Sequence, residues 1–156
     1  MDRPRANSTL QEKLSHFSDK QLKLIFKNTK EFQLTEGCSL GCFDCGAQAL
    51  PGVRSYIPPR FLIDMFNRFS RQLQRGSIML YGASDPFDYD FEGFSYKDIH
   101  GEFINAIGHN PTVMTAVPEG REDEILSHVL GENKIRVSNW SYDFIDVVSV
   151  QKNNIG

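Results

Sequence analysis

Apolar residues recur along this chain with two alternating spacings, one typical of helices and one typical of buried strands. Four segments carry apolar residues three or four positions apart and are predicted to be helices: residues 18–30, 58–75, 95–108 and 120–130. Four shorter apolar runs are predicted to be strands: residues 32–35, 77–81, 111–117 and 134–138. Because strand and helix alternate, the pattern predicts an α/β fold with a parallel sheet and right-handed crossovers.

Start and stop signals support the predicted helices. Ser95 and Asp98 form a capping-box-like start, and Gly76 follows the end of the second helix. The first helix opens at Ser18 and Asp19. Its inner side is predicted to hold three apolar residues: Leu22, Leu24 and Ile25.

The chain divides into a lead-in, a domain and a tail. Residues 1–30 are predicted to be a helical lead-in, residues 31–150 the α/β domain, and residues 151–156 a polar tail. Residues 145–150 are a further apolar run, with no convincing helix between it and the preceding strand. This run is therefore predicted to be either a further strand or a hairpin partner.

Three cysteines within eight residues carry the strongest chemical signal. Cys38, Cys42 and Cys45 are the only cysteines in the chain, and they come directly after the first predicted strand. A 4Fe–4S cluster usually takes four cysteine ligands, so three would leave one iron with an open position. An open position favours chemistry at the metal over a purely structural role.

The cysteines have two other interpretations. A disulfide is disfavoured because the cysteine count is odd and the first residues contain no apolar segment typical of a secretion signal. Zinc remains an alternative, although structural zinc usually has four ligands. The fourth would have to be a histidine, and none has zinc-finger spacing: His16, His100, His109 and His128.

Composition excludes some classes of function. The chain has 156 residues, 40% hydrophobic and 24% charged, with a net charge of −3. These values are typical of a globular domain with one substantial core. No apolar run approaches the roughly 20 residues that span a bilayer, and the charge gives no argument for nucleic-acid binding.

Residues 33–46, QLTEGCSLGCFDCG, resemble the cluster-binding loop of the radical S-adenosylmethionine (radical SAM) superfamily, whose pattern is CxxxCxxC. The resemblance implies that Cys38, Cys42 and Cys45 hold a 4Fe–4S cluster and that S-adenosylmethionine chelates the fourth iron. Many members carry an aromatic residue just before the third cysteine. Asp44 has that position here and is the candidate for the local cofactor contact.

The resemblance also implies a fold. A radical SAM core is a partial (β/α) barrel of six β/α units with helices on the outside, which at about 30 residues a unit exceeds this chain. With about four parallel strands, the chain is similar to the amino-terminal part of such a domain. A second chain that completes the barrel is therefore one implied partner.

The second and fourth predicted strands end in candidate cofactor contacts. In the family, a glycine-rich acidic motif after the second strand holds the amino group of S-adenosylmethionine, and polar residues after the fourth contact its ribose or carboxylate. Ser138 is the candidate at the fourth strand. Those at the second are Gly82, Ala83, Ser84 and Asp85. Without the cysteine loop, Asp85 and the proline after it would be read as the start of a turn.

Other polar and aromatic residues receive structural interpretations. The segment Asp88, Tyr89 and Asp90 is predicted to be a solvated loop, with substrate contact as the alternative. The histidines are predicted to be surface or packing residues. Trp140 is a weak candidate for the mouth of a pocket.

These observations predict a radical SAM enzyme, or the amino-terminal part of one, that cleaves S-adenosylmethionine reductively to a 5′-deoxyadenosyl radical. The alternative is a non-enzymatic zinc or iron–sulfur module that binds a partner. The resemblance implies a small electron donor of the flavodoxin or ferredoxin type. The absence of a targeting signal and the oxygen sensitivity expected of such a cluster predict a cytoplasmic location. No residue is identified as catalytic toward the substrate, which the sequence does not specify.

Overall fold

The computed structural model describes residues 5–6, 9–42, 45–131, 134–138 and 144–148, and it describes side chains within 6, 10–42 and 45–128. The helices are α1 (Thr9–Ser15), α2 (Asp19–Asn28), α3 (Pro59–Arg68), α4 (Ser70–Leu73), α5 (Tyr96–Ile107) and α6 (Glu122–Gly131). The strands are β1 (Arg5–Ala6), β2 (Thr35–Glu36), β3 (Ser55–Tyr56), β4 (Asp90–Phe91), β5 (Phe94–Ser95), β6 (Val113–Thr115), β7 (Lys134–Ser138) and β8 (Phe144–Val148).

Local capping explains where two of the helices begin. The Ser18 hydroxyl accepts a hydrogen bond from the Gln21 N–H, and the Gln21 side chain accepts one from the Ser18 N–H at 2.9 Å. Ser95 and Asp98 form the same reciprocal pair at the start of α5. Each box satisfies two N–H groups that have no partner within the helix. The predicted helix starts at residues 18 and 95 are confirmed.

The second predicted helix is interrupted. The backbone of Phe69 has φ −112° and ψ 20°, outside the helical region, and this residue separates α3 from α4. Its ring is fully buried and stacks on Phe26 of α2, with ring centroids 4.1 Å apart. The apolar spacing through Leu73 is the same in one helix or in two, so periodicity alone predicted a single helix.

The predicted partial (β/α) barrel of about four parallel strands is wrong. The described strands form three separate small sheets. In the first, β3 pairs with β1 in parallel and with β2 antiparallel. The second is the antiparallel hairpin β4–β5. In the third, β7 pairs with β6 in parallel and with β8 antiparallel, so the run near residue 145 is a hairpin partner.

The pairing of the first two predicted strands explains the difference. The first predicted strand ends in β2, whose partner β3 lies where the sequence predicts neither a helix nor a strand. The second contributes only isolated parallel bridges, from Met79 to Glu31 and from Met79 to Thr112. Isolated bridges do not extend into a continuous ladder, so one parallel sheet does not run through the described residues.

Aromatic side chains join the helices into one core. The ring of Phe66 in α3 contacts two other rings edge to face. Its centroid lies 5.3 Å from that of Phe32, which precedes β2, and 5.2 Å from that of Phe103 in α5. All three rings are buried. Edge-to-face contacts are favourable beyond the area that they bury.

Among the described residues, no helix is long and apolar enough to cross a membrane.

The predicted inner side of α2 is partly wrong. Leu22 and Phe26, four residues apart, are buried, whereas Leu24 is 61% exposed. Ile25 is also exposed. One turn of helix brings residues four apart onto one face, and residue 24 lies on the far side of that stripe.

Candidate functional site

The cysteine loop is closed at its base by backbone hydrogen bonds. The Cys38 N–H donates to the Leu50 carbonyl at 2.9 Å, and the Gly52 N–H donates to the Cys38 carbonyl at 2.8 Å. Gly37, just before, has φ +85°, and a Cβ atom there would collide with the Gly52 carbonyl oxygen. Only glycine adopts this positive φ readily and also lacks the Cβ atom that would collide. Gly37 therefore fixes how the strand enters the loop.

The three thiols differ in their surroundings. Cys38 is buried, while Cys42 and Cys45 are half-buried, and none forms a disulfide. Burial, with a smaller effect of the Asp88 and Asp85 carboxylates, raises the pKa of Cys38 to about 11. Burial and then the neighbouring Cys45 raise the pKa of Cys42. Both thiols are therefore protonated at neutral pH, and a metal would have to displace their protons.

The loop is not gathered around a metal centre. Within the described part of the chain, no three histidine, cysteine or acidic side chains lie close enough together to hold a metal ion. The Cys45 sulfur accepts a weak hydrogen bond from the Ala49 N–H at 3.4 Å. Three free sulfur donors in one loop still have the chemistry that iron–sulfur clusters and zinc require. Asp44, between the second and third cysteines, lies outside the described residues.

The loop after residue 81 is held by a buried carboxylate. Asp85 is 4% exposed, and one oxygen accepts a hydrogen bond from the Phe87 N–H at 3.0 Å. Its other oxygen accepts from the Ala116 N–H at 2.8 Å, and the Thr115 hydroxyl lies 2.9 and 3.0 Å from the two oxygens. The loop is thereby tied to the end of β6. These three donors occupy most of the roughly four acceptor positions of a carboxylate.

Opposing effects set the charge of Asp85. Burial raises its pKa from 3.8 to about 6, while the hydrogen bonds from Ala116, Phe87 and Thr115 act in the opposite direction. Burial disfavours the charged form, and at Asp85 this effect on the pKa is larger than that of the hydrogen bonds. At neutral pH the carboxylate is still mostly ionised, so a negative charge lies beneath the cysteine loop.

Asp88 links the two loops directly. It lies in a short 3₁₀ helix, Pro86–Asp88, and one of its carboxylate oxygens accepts a hydrogen bond from the Ser39 N–H at 2.9 Å. Asp88 is 8% exposed, and Tyr89 is fully buried. The prediction of a solvated loop is therefore wrong for both, although Asp90 is exposed as predicted.

Ser84 has an unsatisfied hydroxyl next to this link. Its side chain is 9% exposed, and Oγ has no hydrogen-bond partner among the described residues. Gly82, two residues earlier, lies against Gln33, and a Cβ there would come 3.1 Å from the Gln33 Cβ. A buried hydroxyl without a partner costs free energy, which a polar ligand group could offset.

The structure places part of the second predicted segment beside the first cysteine. The segment that contains Ser84 and Asp85 lies beside Cys38, close enough for Asp85 to influence the pKa of the Cys38 thiol. Ser138 ends β7 and is paired in register with Phe144, but its side chain is not among those described. Trp140 lies outside the described residues.

A buried histidine pair borders the site. The rings of His100 and His128 are 4.5 Å apart at their centroids, and Phe87 and Tyr96 contact the His128 ring. Burial lowers the pKa of each histidine to about 4. Both are packing residues, as predicted, and His128 Nε2 has no hydrogen-bond partner in the described part of the chain.

Sequence reasoning missed two polar residues of the site. Thr115 was treated only as part of a strand, although a hydroxyl at a strand end is a signal that could have singled it out. Asp88 was not linked to the cysteine loop, because its partner Ser39 lies 49 residues away.

Comparison of the chain with protein-family models, curated proteins and solved structures finds no match.

Proposed function

We propose that this chain is a radical SAM enzyme, or the amino-terminal part of one, in which Cys38, Cys42 and Cys45 hold a 4Fe–4S cluster. The observation that carries the proposal is the junction of the CxxxCxxC loop with the loop of residues 82–88. When bound and reduced, such a cluster supplies the electron that breaks a carbon–sulfur bond of S-adenosylmethionine. The proposal includes a small protein of the flavodoxin or ferredoxin type as electron donor, and a reducing cytoplasmic location.

The cysteine residues supply three ligands, and the loop closure keeps them near one another. Hydrogen bonds at Cys38 hold the loop base, while the Asp88 carboxylate holds Ser39. Both contacts restrain the backbone on either side of the first ligand. Restrained ligands lose less entropy when the cluster binds, which is the usual advantage of a supported site.

The second loop offers polar groups for the methionine part of the cofactor. Ser84 has a buried hydroxyl without a partner, and Gly82 and Ala83 are small enough to let a ligand approach the backbone. Asp85 has room for at most about one further donor. We therefore assign Asp85 to holding the loop and supplying negative charge near an ammonium group, and Ser84 to direct contact.

Anaerobic reconstitution tests the proposal without relying on turnover. The chain is loaded with iron and sulfide, and its iron content and electron paramagnetic resonance (EPR) spectrum are measured with and without S-adenosylmethionine. About four irons per chain and a spectrum that changes with the nucleotide are expected. Cys42→Ala should lose both, whereas Leu50→Ala, an exposed residue of the same loop, should keep them.

Two results would count against the proposal. Colourless protein with one tightly bound zinc would support the non-enzymatic metal module instead. A cluster that forms equally well in Cys42→Ala would show that the three cysteines are not the ligand set.

A further inference from the structure

A strongly basic cleft lies between α2 and α4, apart from the residues of the candidate site. It has a volume of about 410 Å³. Five cations line it: Lys20, Lys23, Lys27, Arg71 and Arg75. None of its lining residues is acidic, although the whole chain has 20 acidic residues against 17 lysines and arginines. Positive charge is therefore concentrated here against the sign of the whole chain.

This concentration of charge costs stability in the isolated chain. Lys20, Lys23 and Lys27 are three and four residues apart on one exposed helix face, where like charges repel. Lys23 is paired with Asp19 at 2.6 Å, but that carboxylate is shared with Arg68. A ligand with several negative charges would relieve the repulsion.

An exposed leucine lies among the cations. Leu24 lines the cleft and is 61% exposed, the most exposed of the large apolar side chains that the structure describes. An apolar centre within a charged rim is the usual arrangement of a protein–protein contact. Single-stranded nucleic acid is bound instead by basic grooves with aromatic stacking platforms, and none of the residues that line this cleft is aromatic.

We propose that the cleft binds an acidic helical segment of a partner protein. Residues 20 to 27 span about 10 Å of helix at 1.5 Å per residue, so carboxylates three and four residues apart on a second helix have matching spacing. A leucine-sized residue between those carboxylates packs against Leu24. This inference stands independently of the proposed iron–sulfur chemistry.

A labelled helical peptide tests the cleft by fluorescence anisotropy. The probe carries glutamates three and four residues apart and one central leucine, and a second peptide has alanine in place of that leucine. Lys27→Glu with Arg71→Glu should weaken binding of the leucine peptide about tenfold or more. Arg54→Glu with Arg60→Glu makes the same change in net charge at exposed positions outside the cleft and should have little effect.

Leu24→Ser distinguishes a protein partner from a general polyanion. Unaltered protein should prefer the leucine peptide to the alanine peptide, and the variant should lose that preference. Equal binding of a single-stranded oligonucleotide of the same charge, unaffected by Leu24→Ser, would overturn the proposal in favour of nucleic acid. Peptide binding that survives reversal of Lys27 and Arg71 would also overturn it. So would concentration-dependent self-association, measured by sedimentation, that the double variant abolishes.

Discussion

The buried carboxylate of Asp85 should make stability depend on pH in a direction opposite to that of an ordinary paired aspartate. Its folded pKa is about 6, against 3.8 ordinarily, because burial disfavours the charge. The folded state therefore binds a proton more readily than the unfolded chain. The stabilisation from protonation is present at low pH and is lost as pH rises through about 6.

The size of the effect follows from that pKa. At about pH 5, protonation should stabilise the folded state by about 1.4 kcal/mol relative to about pH 7.5. Asp85→Asn cannot gain this stabilisation. It should also lose about 1–3 kcal/mol at every pH, because its amide nitrogen replaces an oxygen that accepts a hydrogen bond.

Urea unfolding followed by circular dichroism measures the free energies at both pH values. The gap between unaltered protein and Asp85→Asn should be about 1.4 kcal/mol wider at the lower pH. Asp64→Asn, an exposed aspartate of α3, controls for the loss of one surface carboxylate. A gap that stays constant, or that widens as pH rises, would refute the reasoning. A gap that widens as pH rises would mean that the hydrogen bonds to Asp85 outweigh its burial.

Three further variants test other contacts. Gly37→Ala should destabilise the protein by more than about 2 kcal/mol in urea unfolding, because it adds a backbone collision to a positive φ. Gly41→Ala, also at positive φ but with open space around it, should cost about 1 kcal/mol. Equal losses of stability in the two variants would contradict this account. Asp88→Ala should speed hydrogen exchange of the Ser39 amide about tenfold or more, since that N–H loses its acceptor; unchanged exchange would exclude the link. His128→Phe should stabilise the protein by about 1–2 kcal/mol near pH 5. The histidine is held neutral by burial, so its stabilising contribution is present above about pH 6.5 and is lost as pH falls toward 4. Equal stability of this variant and the unaltered protein near pH 5 would count against a buried, neutral ring.

Local signals in the sequence predicted local structure well. The Ser18 and Ser95 helix starts depend on residues within three positions, so they can be found without knowing the fold. The cysteine spacing is local in the same sense. Burial of Leu24 was predicted wrongly, because it lies two residues from both Leu22 and Phe26 and so on the opposite side of the helix from the buried stripe.

Pairing between distant segments could not be predicted in the same way. The partner of β2 is β3, twenty residues later and without a strong apolar run, so periodicity gave no reason to place a strand there. The parallel sheet was predicted from the alternation of elements and the barrel from the family resemblance, and neither determines which backbone groups pair. Asp88 illustrates the same limit at the site, because its role depends on contact with Ser39 from another loop.

The central claim is that three cysteines hold a cluster with one iron open to a ligand. EPR spectroscopy of the reduced, reconstituted chain, recorded before and after addition of S-adenosylmethionine, tests it most directly. We expect a 4Fe–4S signal that shifts when the nucleotide is added and that is absent in Cys42→Ala. A signal unchanged by the nucleotide, or zinc in place of iron, would contradict the account.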